Sequence, residues 1–191
     1  MATVYLARHG ETDWNARGKL QGRTDIPLND RGLAQARTLA GRLANLGLTA
    51  VVTSDLVRAR STGDVVAGTL GIAARSIDPE LKERSFGVFE GLTRDECAAR
   101  HPEAWKAWLE QTAPPDGAEA REAAVARLTR ALTRVVEEAR EGPSLVVSHG
   151  GIMRLWLMDL LGTPVPLIGN GAVYEVEREG VRFRATLLVD L

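Results

Sequence analysis

The sequence predicts an α/β fold: a three-layer α/β/α sandwich with a mostly parallel central sheet, a small helical cap insertion and a C-terminal hairpin. Three observations lead there. Short apolar runs alternate with segments of helical periodicity as far as residue 77, the pattern of βαβ units on a parallel sheet covered on both faces. Residues 80–117 interrupt that pattern with short helical pieces and no clear strand. The last segment, AVYEVEREGVRFRATLLVD, alternates in places around a Glu-Gly turn signal and reads as a hairpin. The 191 residues are expected to form a single domain, 1–191, with the cap inside it at about 80–117.

Taken in order, residues 3–7 read as a short, fully buried strand. A loop rich in Gly, Asn, Arg and Asp follows to about Asn29. Leu33, Ala36, Leu39, Ala40 and Leu43 then recur at helical spacing, and Gly47 is the expected helix end. TAVVTSD is a second strand, LVRARSTGDVVAGTLG a second glycine-closed helix, and AARSI a third strand. The cap pieces are TRDECAARH and PEAWKAWLEQ, with a break at APPDG. A long helix is expected over AEAREAAVARLTRALTRVVEEAR, then a strand in PSLVVSHGG that feeds the helix IMRLWLMDLLG.

Composition narrows the function. The chain is 45% hydrophobic and 26% charged, with a net charge of −1, so neither a nucleic-acid partner nor a disordered acidic tail is expected. A positive site must then be local. Lys19, Lys82 and Lys106 are the lysines; the other basic residues are arginines, which suit planar recognition of phosphate or carboxylate. The single Cys97 permits no disulfide within the chain, and its helical context reads as a half-buried inert thiol. No ligand-spaced cluster argues for a metal, and no cofactor is expected. No secretory leader and no apolar run of membrane-spanning length is evident, so the expected location is cytoplasmic, without a membrane partner.

Two strands end alike, TVYLARHG and SLVVSHGG. Ligands of parallel sheets bind beyond the carboxyl ends of the strands. His9 and His149 are therefore expected at one edge, beside Arg8, with the following glycines letting backbone approach a ligand. Gly150 and Gly151 also open a helix, whose free N–H groups favour an anion. His101, before Pro102, reads as a solvent-facing residue between two helical pieces, without a catalytic role.

Arg8-His9-Gly10-Glu11-Thr12, followed by Trp14 and Asn15, resembles the signature of the histidine phosphatase superfamily, the phosphoglycerate mutase-like proteins. The similarity continues in order through GKLQGRTDIPLNDRGLAQA, SDLVRARSTGDVVA, LKERSFGVFEG and VVSHGG. It implies that His9 attacks phosphorus to form a phosphohistidine, while Arg8, Arg58 and His149 bind the phosphoryl oxygens. Glu83 would protonate the leaving alcohol and then activate water; a surface carboxylate paired with Arg84 or Lys82 is the competing role. Glu90 is set aside because it occupies the family's trailing Glu-Gly position. Asn15 resembles the family's phosphate-contacting amide, and Gln21 and Gly150 complete the implied substrate-binding set. For Asn15 and Gln21 a turn role competes.

The implied function is a metal-independent, histidine acid phosphatase-type phosphomonoesterase acting on small phosphorylated metabolites. The alternatives are a cofactor-dependent phosphoglycerate mutase and a non-catalytic phospho-ligand binder on the same fold. Residues 92–117 hold Arg94, Arg100 and Lys106 but no Arg-Arg pair, which favours the phosphatase. The family's usual Gly-Glu-Ser before the long helix reads Gly117-Ala118-Glu119-Ala120 here. Phe86, Phe89, Trp105 and Trp108 either pack the cap or wall the leaving-group site. Substrate identity and oligomeric state are left open.

Overall fold

The computed structural model describes residues 3–139 and 142–189. Six strands form one sheet: β1 Thr3–Arg8, β2 Ala50–Thr53, β3 Ala74–Ile77, β4 Ser144–Ser148, β5 Val173–Glu179 and β6 Arg182–Val189. Their order is β3-β2-β4-β1-β5-β6. The pairs β3/β2, β2/β4 and β4/β1 are parallel; the β5–β6 hairpin joins antiparallel to β1. The predicted mostly parallel sheet is thus present, with β1 and β4 side by side at its centre.

Alternation along the central strands divides the core in two. Val4, Leu6 and Val146 face one way, onto α6 (Arg121–Glu138) and α7 (Gly150–Leu161). Tyr5, Ala7, Leu145 and Val147 face the other, onto α2 (Asp30–Leu43) and α3 (Val57–Leu70). That is the expected three-layer sandwich.

Helix ends follow local chemistry. Asn29 caps α2 by accepting the Gly32 N–H at 2.8 Å. Gly71 and Gly162 close α3 and α7 in left-handed conformations, with φ of 70° and 64°. The α2 helix stops at Leu43, four residues before the expected Gly47, because its last turn tightens: Ala44 N bonds Gly41 O and Leu46 N bonds Leu43 O. The predicted ends of the long helix at residue 140 and of the hairpin at residue 190 lie outside the described residues.

The cap contains α4 (Arg94–Arg100) and α5 (Pro102–Leu109), preceded by two single 3-10 turns. Phe89 is its fully buried centre, edge-on to Trp105 and Trp108 at 5.3 and 6.0 Å. His101 belongs to this cluster, 6.0 Å from Phe89, and is half-buried rather than solvent-facing: the Pro102 junction turns its ring inward. Cys97 is fully buried rather than half-buried, and burial pushes its thiol pKa up. Backbone bonds between Leu20 and the Gly91–Leu92 segment dock the cap onto the loop after β1.

Candidate active site

The carboxyl ends of β1, β2 and β4 meet at one edge of the sheet, and the polar residues that follow them converge there. The registers pair Arg8 with Ser148 and Ala7 with Val147, so His9 and His149 leave adjacent parallel strands at the same level. Their ring centroids are 5.1 Å apart, and both rings are almost completely buried.

The two imidazoles are held differently. His9 Nδ1 lies 2.6 Å from the Gly10 carbonyl oxygen. A carbonyl only accepts, so Nδ1 carries the proton and the Nε2 lone pair is free. His149 Nε2 lies 2.8 Å from Ser54 Oγ, just beyond β2, while its Nδ1 is buried without a partner among the described residues. Burial, reinforced by Arg58 and then Arg8, holds His9 well below the usual histidine pKa. Burial, then Arg58 and His9, does the same to His149. Desolvation disfavours the charged imidazolium, and neighbouring guanidinium groups add to that. His149 is therefore neutral here, and the cations beside His9 are the arginines.

Arg58 enters from the first turn of α3. Its Nη atoms donate to Thr24 O at 2.9 Å and Gly22 O at 2.8 Å. Arg8 donates from Nη1 to Ile168 O. In both arginines Nε is buried and unpartnered. Burial pulls the Arg8 pKa down to about 10, which still leaves it charged at neutral pH.

Glu83 is buried, and the competing surface role is not what the structure shows: Lys82 pairs with Asp55 at 2.9 Å instead. Glu83 Oε2 accepts the Gly151 N–H at 2.8 Å, and Oε1 accepts Ile152 N–H at 2.7 Å and Arg84 N–H at 3.0 Å. The amides expected to receive an external anion are thus partly taken: Glu83 caps α7 from outside it, and only the Gly150 N–H of these three residues is left unbonded among the described residues.

The glycines also make room for side chains and for a helix. A Cβ on Gly150 would stand 2.9 Å from Arg8 Nε, and one on Gly151 would stand 2.8 Å from the Glu83 carboxylate oxygens. A Cβ on Gly10 would stand 2.4 Å from Gly32 O, so Gly10 lets the strand end pack against the start of α2.

Asn15 Oδ1 accepts from Thr12 N, Thr12 Oγ1 and Asn170 Nδ2, each at 3.2 Å. Gln21 is buried, with Oε1 unpartnered. Both line the cavity above the sheet edge, together with Arg8, His9, Arg58, Glu83 and Gly150. Its volume is about 1050 Å³, and Trp105 and Trp108 form part of its cap-side wall. Phe86, Trp105 and Trp108 thus both pack the cap and face the cavity, whereas Phe89 only packs it.

Four contributors are not among the predicted site residues. Ser54 sits at a strand end and could have been found by the same criterion as the histidines. Thr62 Oγ1 accepts the Gly10 N–H at 3.1 Å, and Asn170 Nδ2 donates to His9 O at 3.0 Å. Arg84, named only as a partner in the competing surface role of Glu83, is buried, with its guanidinium 4.1 Å over the Trp108 ring. Glu90 is also more than a family marker. It accepts from Arg23 N, Thr24 N, Thr24 Oγ1, Ser85 Oγ and Phe86 N, tying the Arg58-bound loop to the Glu83 segment.

Among known proteins, "Phosphoglycerate mutase-like protein 4" of Arabidopsis thaliana is 37% identical over 157 residues, covering 80% of this chain and 68% of that protein. "Probable phosphoglycerate mutase GpmB" of Erwinia tasmaniensis is 36% identical over 168 residues, covering 86% and 77%. Among solved structures, Bacillus stearothermophilus YhfR superposes with a TM-score of 0.88 at 30% identity, covering 100% of this chain and 98% of that one. A mycobacterial glucosyl-3-phosphoglycerate phosphatase, solved with VO3, superposes with a TM-score of 0.87 at 27% identity over 100% of both chains. A family model for the histidine phosphatase superfamily (branch 1) matches residues 4–191. The chain belongs to the histidine phosphatase superfamily, branch 1.

Proposed function

We propose that this protein is a metal-independent phosphomonoesterase that works through a phosphohistidine on His9. One observation carries the reading. Among the described residues three buried hydrogen-bonding nitrogens, Arg8 Nε, Arg58 Nε and His149 Nδ1, have no partner around a neutral imidazole whose Nε2 lone pair is free. A buried donor without a partner costs about 1–3 kcal/mol, and three around one nucleophile are accounted for by a ligand rich in acceptors. A phosphoryl group, with oxygens in several directions, fits.

The geometry supports the following steps. His9 Nε2 attacks phosphorus as the ester P–O bond breaks, and Glu83 gives its proton to the leaving alcohol. Splitting the transfer in two lowers each barrier. With the single Ser54 hydroxyl hydrogen turned to His149 Nε2 rather than to Asp55 Oδ1 at 3.5 Å, the imidazole proton sits on Nδ1 and makes that atom a donor to a phosphoryl oxygen. Arg8 and Arg58 counter the charge on the equatorial oxygens. Water then attacks phosphorus, the N–P bond breaks, Glu83 takes the water's proton, and inorganic phosphate leaves. Asn15 turns its Nδ2 to the phosphoryl group, because its oxygen is already engaged. Gln21 Oε1 is an acceptor, so it suits a hydroxyl of the substrate rather than a phosphate oxygen.

The test is turnover of p-nitrophenyl phosphate in the presence of a chelator, with acid-stable or base-stable phosphoenzyme assigned by mass spectrometry. Chelator-resistant hydrolysis with a base-stable phosphoryl group on His9 is expected. No turnover of any phosphomonoester by a folded protein would leave a phospho-ligand binder.

A mutase remains the second reading, because the cavity is lined by further cations. Arg84 and Arg94 of the cap line it together with Lys19, Arg121 and Arg154, whereas Arg100 pairs outside with Glu96. The absence of an Arg-Arg pair therefore does not leave the cap without cations. Following 3-phosphoglycerate with its bisphosphate primer separates the readings: isomerisation faster than hydrolysis favours the mutase.

A further inference from the structure

Asn170 stands outside the cavity lining, yet touches two of the groups the chemistry depends on. It sits in the turn between Ile168 and β5, and that turn is bonded to β1 on both sides. Gly171 N donates to Arg8 O at 3.1 Å, Arg8 N donates to Ala172 O at 3.0 Å, and Ala172 N closes the turn onto Gly169 O at 3.2 Å. The turn therefore moves with the strand that delivers Arg8 and His9. From it, the Asn170 carboxamide spends its Nδ2 hydrogens on His9 O at 3.0 Å and Asn15 Oδ1 at 3.2 Å.

The second bond sets a choice. A carboxamide presents either its oxygen or its NH2 to a ligand, and the two ends differ little in shape. Toward a phosphoryl group only the NH2 is attractive. Thr12 supplies two donors to Asn15 Oδ1 from the start of the same short helix, α1 (Asp13–Ala16), and Asn170 supplies the only one from a distant part of the chain among the described residues. We propose that Asn170 is a positioning residue that locks the Asn15 carboxamide with its NH2 toward the phosphoryl group and clamps the nucleophile's own carbonyl in the same grip. The proposal rests on the phosphate-binding role given to Asn15 above.

Asn170→Asp tests it, because it keeps the shape and replaces two donors by an acceptor facing His9 O and Asn15 Oδ1. At pH 7.5 the variant is expected to lose about 10- to 100-fold in kcat/KM on p-nitrophenyl phosphate, and to be inhibited about tenfold less well by inorganic phosphate. In an Asn15→Ala background the same change should cost less, about threefold, because only the clamp on the His9 carbonyl is then left to lose. The activity of Asn170→Asp relative to wild type should also rise between pH 8 and pH 5, as the introduced carboxyl takes up a proton and regains a donor. Loss of stability alone would not produce the background dependence. If Asn170→Asp does not fold, Asn170→Ala removes the donors without adding charge and is judged by the same cycle. Full activity of Asn170→Asp beside a deficient Asn15→Ala, or an equal penalty in both backgrounds, overturns the proposal alone. A fully active Asn15→Ala overturns it together with the phosphate role of Asn15.

Discussion

The sheet edge and the cap form opposite sides of one cavity, and they are built on different principles. At the edge, several of the polar side chains are fixed by backbone: His9 by Gly10 O, Arg58 by Gly22 O and Thr24 O, Glu83 by three amides. On the cap side, ring contacts between side chains recur: Phe89 edge-on to Trp105, and the Arg84 guanidinium stacked on Trp108. Backbone anchors do not rearrange without unfolding, whereas stacked rings can repack. The edge is thus suited to chemistry that tolerates no displacement, and the cap to discrimination among leaving groups.

The sharpest way to break this contrast is His9→Ala. It should lower kcat on p-nitrophenyl phosphate by about 10³-fold or more, since covalent catalysis loses its nucleophile. A residual rate within tenfold of wild type would mean that the edge does not hold the nucleophile.

Next is Glu83→Gln. General acid catalysis is worth about 10²- to 10⁴-fold on a poor leaving group. The variant should lose that on an alkyl phosphate and much less on p-nitrophenyl phosphate, whose phenolate leaves unaided. Equal losses on both would assign Glu83 a structural role, as the cap of α7 only.

Trp108→Ala probes the other wall. It is expected to raise KM for bulky monoesters about tenfold, with kcat on p-nitrophenyl phosphate changed about threefold or less, because truncating one aromatic removes binding rather than chemistry. A kcat loss as large as that of His9→Ala would erase the distinction between the two sides.

The smallest effect is in stability against pH. His9 and His149 have folded-state pKa values below the ordinary 6.5. Below that pH the unfolded chain binds protons that the folded one refuses, so stability falls as pH falls from about 6.5 toward the folded values. The melting temperature should therefore drop between pH 7.5 and pH 5 in wild type, and drop less in His149→Gln. Equal slopes would show that the buried histidine does not contribute.

Much of the edge was legible because its signals are local. Apolar strands ending in His-Gly, together with the rule that parallel strands present their carboxyl ends to ligands, bring His9 and His149 together before any coordinates. Ser54 was legible by the same rule and passed over. The cap was legible only as an interruption of the βα alternation. Its internal order depends on which faces of two short helices meet Phe89, and three apolar residues in α4 and five in α5 do not specify that. His101 turned inward for this reason. The altered Gly117-Ala118-Glu119-Ala120 segment likewise acquires meaning only in space. Glu119 receives a two-pronged contact from Arg127, which also donates to the carbonyls of Glu80 and Lys82 and so braces the approach to Glu83.

By itself the sequence determined the layered α/β architecture, the strand ends that carry Arg8, His9 and His149, and the order of motifs that marks the family. These depend on periodicity and on residues adjacent in the chain, which a linear reading captures. Tertiary structure alone decided that Glu83 caps α7, that Glu90 ties two loops together, and that Asn170 reaches His9 and Asn15. The reason for the last is the reversal of direction at the hairpin: β5 runs antiparallel to β1, so the start of β5 arrives at the edge where β1 ends. A turn 161 residues from His9 in sequence is thereby its neighbour in space.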